Sequence, residues 1–196
     1  GVVVGAITFV YLYDLYQEIK DDIDSVVNYN PKQSTQFFDK NGKLLANTFK
    51  DENREYVNYD DIPARVIEGL VAIEDTQFFE HFGVNPDAIS RAVIKNIQSG
   101  GYSEGASTLT QQLIKVLLLS REKKIIRKVK EALLAVRLET VLTKEEILER
   151  YLNHVYFGHG YYGIKTAAKG YFNKDLYELT LKEIAILVGL PRAPSF

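Results

Sequence analysis

Residues 71–86 read VAIEDTQFFEHFGVNP, and they place an acidic side chain where an amphipathic helix is normally apolar. At 3.6 residues per turn, one stripe of this helix contains Ile67, Leu70, Val71, Glu74 and Phe78. The Glu74 carboxylate is therefore predicted to face the core or a cleft. Because desolvation disfavours the charged form, a buried carboxyl group titrates nearer neutral pH and can carry a proton. We interpret Glu74 as a candidate proton carrier, with a buried structural ion pair as the alternative.

The composition is that of an ordinary globular chain, with 196 residues, 46% hydrophobic and 26% charged. This length suits one domain with a sizeable core. The formal net charge of −2 provides no basic field that would attract nucleic acid. The absence of cysteine excludes disulfide and thiolate chemistry.

The N-terminal segment carries no charge from Gly1 to Tyr13, and an acidic stretch follows from Asp14 to Asp24. The uncharged run is shorter than the ~20 residues that a membrane-spanning helix needs, but its tyrosines resemble an interfacial aromatic belt. We interpret residues 1–24 as the C-terminal part of a transmembrane anchor with its juxtamembrane helix. A buried N-terminal helix is the alternative.

The rest of the chain is predicted to be mainly α-helical, with one small β-hairpin at Asn41-Gly42. Helices are predicted from Asp61-Pro63 to a stop at Gly83, after Asn85-Pro86, and over residues 122–142. Three further starts have the capping-box pattern, namely Thr108-x-x-Gln111, Thr143-x-x-Glu146 and Thr180-x-x-Glu183.

Six cations lie within the ten positions 121–130: Arg121, Lys123, Lys124, Arg127, Lys128 and Lys130. They provide a local field suited to a phosphate or pyrophosphate, and a solvated basic face is the alternative. Glu131 follows Arg127 by four residues and Lys128 by three, which predicts intrahelical ion pairs. A carboxylate between cations stays ionised, so Glu74 and Glu131 are predicted to have different roles. The three histidines lack the spacing of a zinc site.

Four motifs occur in order along the chain: Glu74-Asp75-x-x-Phe78-x-x-His81-x-Gly83, Gly105-Ala106-Ser107-Thr108-x-Thr110-Gln111-Gln112, Arg127-Lys128-x-x-Glu131 and Lys144-x-x-Ile147-x-Glu149-x-Tyr151-x-Asn153. This pattern resembles the peptidoglycan glycosyltransferase domain of class A penicillin-binding proteins and their monofunctional relatives. The resemblance extends from about Phe37 to the end of the sequence. Ala106 departs from it, because many members have a second glycine there.

The resemblance implies a lysozyme-like α fold with two lobes, the smaller one facing the membrane, and assigns residues 25–196 to a C-terminally truncated glycosyltransferase domain. It implies an inverting reaction that polymerises lipid II into glycan strands. Glu74 would be the general base, and Glu131 would be the second catalytic residue. The substrate-binding residues would be Ser107, Thr108, Gln112, Lys115, Arg127 and Lys128. The supporting residues would be Asp75, Phe78, His81, Gly83, Glu149, Tyr151 and Asn153.

The resemblance leaves open whether Glu131 orients the cations or binds a divalent ion such as Mg²⁺ or Mn²⁺. The implied partners are lipid II, the nascent lipid-linked glycan and the bacterial inner membrane. A single-pass anchor would hold the domain on the extracytoplasmic side, with a transpeptidase domain following in the full-length chain. The first alternative is a muralytic lysozyme-like hydrolase or lytic transglycosylase, which needs no cationic cluster because its leaving group is a sugar hydroxyl. The second is a non-catalytic, membrane-anchored glycan-binding module.

Overall fold

The structure is a computed structural model that describes residues 2–20, 22–27, 36–38, 44–47, 55–101, 105–118 and 124–192. The described chain is mainly α-helical, as predicted. In chain order the helices and strands are α1 (Val2–Ile19), α2 (Asp22–Val27), β1 (Gln36–Phe38), β2 (Leu44–Asn47), α3 (Ala64–Glu74), α4 (Pro86–Ser99), α5 (Leu109–Leu117), α6 (Lys124–Leu138), α7 (Lys144–His154), α8 (Ile164–Phe172) and α9 (Leu181–Gly189).

The chain forms two compact units. The first comprises Gly1–Val27 with Val71–Leu148, and the second comprises Asn28–Leu70 with Glu149–Phe196. Helices α3 and α7 therefore contribute residues to both units. All the contacts of Glu74 and of the cationic segment that are described below lie within the first unit.

The predicted helix starts of α4, α5, α7 and α9 are confirmed. At α4, the Asn85 side chain accepts a hydrogen bond from the Ala88 N–H, and Pro86 occupies the first turn. The other three starts have reciprocal capping bonds, between Thr108 and Gln111, Thr143 and Glu146, and Thr180 and Glu183. Local side-chain chemistry therefore sets these boundaries.

Two predicted helix ends are wrong. Helix α3 ends at Glu74 instead of continuing to Gly83, and turns occupy residues 76–80. The Asp75 carboxylate binds distant partners there, and Gly83 has a left-handed φ of 105°. Helix α6 ends at Leu138 instead of residue 142, where the Thr140 hydroxyl donates to the Arg137 carbonyl at 2.7 Å.

The core of the first unit is built on α5 and α6, which pack against each other. Its fully buried side chains include Leu109, Leu113, Ile114, Leu134 and Leu138. These residues recur at helical spacing, so burial of one apolar face accounts for the packing.

Helix α1 also packs on α6, through its C-terminal half. Leu15 and Ile19 are buried there, and Lys130 Nζ lies 3.7 Å from Glu18 Oε1. Between residues 4 and 13 of this helix, Val4, Ile7, Phe9, Val10, Tyr11 and Tyr13 are exposed. No helix among the described residues has both the length and the apolarity needed to cross a bilayer.

Strands β1 and β2 of the second unit pair antiparallel, with Phe37 opposite Ala46. The Asn41-Gly42 turn that is predicted to join them lies outside the described residues. The apolar core of this unit comes from α3, α7, α8 and α9, through Val66, Leu152, Ile164, Ala167 and Leu187.

Candidate active site

Glu74 occupies the last position of α3, and only 6% of its surface is exposed. The predicted burial of this carboxylate is therefore confirmed. Ile67, Leu70 and Phe78 of the same predicted stripe are buried as well. The Gln112 side chain, in the first half of α5, donates a hydrogen bond from Nε2 to Glu74 Oε2 at 3.2 Å. This donor is a neutral amide, which helps to orient the carboxylate without adding charge.

The turn after Glu74 is fixed by a buried pair between Asp75 and His81. His81 Nε2 lies 2.8 Å from Asp75 Oδ2, and the Gly83 N–H donates to His81 Nδ1 at 3.0 Å. Because Nδ1 accepts a hydrogen bond, the proton of the neutral ring is on Nε2 and points to Asp75. The same carboxylate oxygen accepts the Leu109 N–H at 3.0 Å. Asp75 thus connects the turn to the start of α5.

Gly83 closes this turn against α6. A Cβ at this position would lie 2.6 Å from the carbonyl oxygen of Ala135, and its φ of 105° disfavours side chains. The Thr108 hydroxyl donates to the Gly83 carbonyl at 2.6 Å and accepts the Gln111 N–H at 3.1 Å. Thr108 is buried, and both bonds favour a structural role over the predicted role as a substrate donor.

The predicted ion pairs of Glu131 are formed on α6. Glu131 is fully buried, with Arg127 Nε 3.2 Å from Oε1 and Lys128 Nζ 2.7 Å from Oε2. Half of the Lys128 side chain remains exposed, and its Nζ also donates to Ser107 Oγ at 2.9 Å. Two cations around one carboxylate leave a net positive charge, which is suited to an anionic group.

The structure gives fewer contacts for four other predicted cations. Lys115 is exposed on the last turn of α5, and the described residues give it no ion pair. Arg121 and Lys123 lie outside the described residues, as does the side chain of Lys124.

A divalent cation does not fit the surroundings of Glu131. Each of its two oxygens already faces a cation. Within the described part of the chain, no three histidine or acidic side chains come together as metal ligands. The geometry therefore favours the orienting role of Glu131 over the metal-binding role.

Comparison with known proteins identifies the family. Residues 41–196 match the family model described as Transglycosylase. The chain belongs to the transglycosylase family. The family predicted from the four motifs is thereby confirmed, and with it the class of enzyme, a glycosyl-transferring domain.

This transglycosylase chain is similar to several penicillin-binding proteins. It is 44% identical to penicillin-binding protein 1A of Aquifex aeolicus over 95% of the chain and 25% of that protein. It is 42% identical to penicillin-binding protein 1A of Vibrio cholerae, over 94% of the chain and 22% of that protein. It is 45% identical to penicillin-binding protein 1F of Bacillus subtilis, over 83% of the chain and 22% of that protein. The chain thus spans a quarter or less of the length of these relatives.

The remaining supporting residues of this transglycosylase domain lie in its second unit. The Asn153 amide binds the backbone of Val57 in both directions, at 2.8 Å each, and Glu149 Oε1 accepts the Tyr59 N–H at 2.6 Å. Burial, followed by a hydrogen bond to Glu149, raises the pKa of the Tyr56 phenol above its ordinary value. Tyr151 is buried in the core. The hydrogen bonds of Glu149 and Asn153 hold the backbone of their own unit.

Glu139 and Lys144 lie at the turn that follows Glu74, and neither of them was assigned a role from the sequence. Lys144 Nζ lies 2.7 Å from Glu139 Oε2, 2.7 Å from the His81 carbonyl oxygen and 4.5 Å from the centre of the Phe78 ring. The sequence did not reveal this pair, because α6 was predicted to continue to residue 142, and only the structure places Glu139 directly after its C-terminal end. An acid at the negative end of a helix dipole is unfavourable unless a cation pairs with it.

Proposed function

We propose that this domain is a peptidoglycan glycosyltransferase that polymerises lipid II into glycan strands. It would transfer the growing chain from a lipid-linked pyrophosphate donor to the 4-hydroxyl of lipid II, with inversion at the anomeric carbon. One observation carries the proposal. The same unit contains a buried carboxylate, Glu74, that accepts a hydrogen bond from Gln112 of α5, and a second buried carboxylate, Glu131, that pairs with Arg127 and Lys128. Lys128 also binds Ser107 in the loop before α5, so both carboxylates are connected to this part of the chain.

Glu74 would act as the general base. Its carboxylate takes the proton of the acceptor hydroxyl while the hydroxyl oxygen forms a bond to the anomeric carbon of the donor. A buried base is suited to this step, because it is poorly hydrated and already oriented by Gln112. The bond between the anomeric carbon and the pyrophosphate oxygen breaks, and its electron pair leaves with the pyrophosphate.

The leaving pyrophosphate would be stabilised by Arg127, Lys128 and Lys115. Negative charge develops on its oxygens as the bond breaks, and fixed cations stabilise that charge without reorganising. Ser107 and Gln112 would add hydrogen-bond donors. Glu131 would hold the first two cations in place, which its two contacts of 3.2 and 2.7 Å support.

The membrane context belongs to the same proposal. Residues 1–24 would be the end of a single-pass anchor in the bacterial inner membrane, and residues 25–196 the lysozyme-like catalytic domain with its small β-hairpin, on the extracytoplasmic side. A transpeptidase domain would follow in the full-length protein. The exposed apolar side chains of α1, together with Phe82, support contact with a bilayer, where the lipid tails of both substrates lie.

The test is incubation of the domain with lipid II, followed by separation of the products with and without a chelator. Polymer of increasing length, formed equally in the presence of chelator, is the expected result. Cleavage of preformed glycan without any polymer would identify a muralytic enzyme instead. Binding of glycan with no turnover would identify a binding module. Loss of polymer on chelation, restored by Mg²⁺ or Mn²⁺, would contradict the metal-free role of Glu131.

A further inference from the structure

Glu139 connects two parts of the first unit. Only 8% of its side chain is exposed, although it lies just beyond the C-terminal end of α6. Its Oε1 accepts a hydrogen bond from the Thr110 hydroxyl at 2.7 Å, and the ammonium group of Lys144 lies 2.8 Å from the same oxygen. Thr110 is the second residue of α5, so Glu139 holds the first turn of that helix directly.

Lys144 connects Glu139 to the turn that follows Glu74. Its Nζ donates to the His81 carbonyl at 2.7 Å and lies over the Phe78 ring. About one fifth of the lysine side chain is exposed, so the ion pair with Glu139 is largely removed from water. Such a pair restrains position more than an exposed pair does, because solvent screens it less.

The bond from Glu139 to Thr110 and the bond from Lys144 to His81 restrain the two segments that carry Gln112 and Glu74. Glu74 directly precedes the turn that Lys144 holds, and Gln112 lies two residues after Thr110 on the same helix. On one side of α5, the Leu109 N–H binds Asp75. The Thr110 hydroxyl, on the neighbouring residue, binds Glu139. Two successive residues therefore fix the helix start relative to the turn.

We propose that Glu139 and Lys144 are positioning residues that set the distance between Glu74 and Gln112 during glycosyl transfer. This inference rests on the proposed role of Glu74 as the base. Neither residue needs to contact the substrate. A misplacement of about 1 Å can reduce a rate by about 10²-fold. For a partial loss of restraint we expect about a 10-fold lower kcat in Glu139→Ala, with an unchanged KM for lipid II.

The first experiment compares Glu139→Ala with Glu145→Ala, which removes an exposed glutamate from the first turn of α7. The control is expected to keep the wild-type kcat and KM. Thr110→Val removes a single hydrogen bond and leaves the ion pair intact, so it tests the same idea if Glu139→Ala folds poorly. We expect about a threefold lower kcat for it. An increase in KM with unchanged kcat in these variants would overturn the proposal.

A double-mutant cycle separates positioning from general stability. If Glu139 acts through the contact between Gln112 and Glu74, Glu139→Ala should cost little further activity once Gln112→Ala has removed that contact. We expect the double variant to lie within about twofold of Gln112→Ala alone. A further loss as large as in the wild-type background would show that Glu139 has only a general structural role.

Amide hydrogen exchange tests the inference independently of activity. The N–H groups of Leu109 and Gly83 are held by Asp75 and His81. We expect their exchange to become about 10-fold faster in Glu139→Ala and to remain unchanged in Glu145→Ala. If the wild type made no polymer, the proposed function would fail, whereas this measurement would still test the restraint. Unchanged exchange at both amides would overturn the restraint itself.

Discussion

Glu74 and Glu131 are buried glutamates in the same unit, but their surroundings differ. Glu74 ends a helix and receives a hydrogen bond from a neutral amide. Glu131 lies in mid-helix between the side chains of Arg127 and Lys128. Cations at both oxygens suit Glu131 to the proposed role of orienting a charged site, whereas the hydrogen bond from Gln112 suits Glu74 to the proposed role of an oriented base. The comparison teaches that partners, and not burial alone, distinguish the roles proposed for two identical side chains.

The largest expected effect belongs to Glu74→Gln. The amide keeps the shape of the side chain but cannot take a proton, so polymerisation should fall about 10²–10⁴-fold. Lipid II binding should stay within about threefold of the wild type, since no charge contact to the pyrophosphate is lost. Initial rates and equilibrium binding measure the two quantities separately.

Glu68→Gln is the matched control for this variant, because Glu68 is exposed on the same helix. It is expected to leave both quantities unchanged. Persisting polymerisation by Glu74→Gln would contradict the assignment of the base.

The two sides of the site differ in how well they could be predicted from sequence. The pairs of Glu131 are three and four residues apart, so helix geometry alone predicts them. The burial of Glu74 follows from the apolar stripe. Its contact with Gln112 joins residues 38 apart, and no local pattern contains that information.

The helix boundaries also could be predicted only where residues close in sequence determine them. The helix starts with side-chain caps were predictable because a cap binds its own helix. The end of α3 was not, because Asp75 binds the N–H of Leu109, 34 residues later. Helix α8 was also not predicted. It starts at Ile164, and the preceding Gly163 provides no side-chain cap. A Cβ at Gly163 would lie 3.0 Å from the Asn153 carbonyl oxygen.

The second largest effect is expected for Glu131→Gln, which tests the other member of the comparison. Without the carboxylate, Arg127 and Lys128 lose the group that orients them, so kcat/KM should fall about 10²-fold. The free energy of unfolding should fall by about 1–2 kcal/mol, less than for a wholly buried pair because half of the Lys128 side chain is exposed. Urea denaturation and initial rates are the measurements.

This variant also separates the two roles of the carboxylates. An unfolding free energy that is unchanged, with activity lost as completely as in Glu74→Gln, would indicate that Glu131 itself takes part in proton transfer. The division of work drawn from their surroundings would then be wrong.

A smaller effect is expected for Lys128→Gln. One cation is lost while Arg127 remains, so the charge that develops on the leaving pyrophosphate is stabilised less and kcat/KM should fall about 10-fold. The dependence of kcat/KM on salt should weaken, because fewer charges are screened. Lys182→Gln, an exposed lysine on α9, serves as the control. An unchanged kcat/KM in Lys128→Gln would favour a sugar hydroxyl as the leaving group and would support the muralytic alternative.

The smallest effect is expected for Ser107→Ala, and it sharpens the description of the cationic side. Ser107 Oγ accepts a hydrogen bond from Lys128 Nζ at 2.9 Å, which leaves the hydroxyl proton able to donate to a pyrophosphate oxygen. Loss of this donor should lower kcat/KM about threefold, while Ser90→Ala, at an exposed position on α4, should have no effect. If Ser107 contacts the pyrophosphate itself, the loss persists in a Lys128→Gln background. If the loss disappears there, the serine acts only by holding the lysine, and the cations alone stabilise the leaving group.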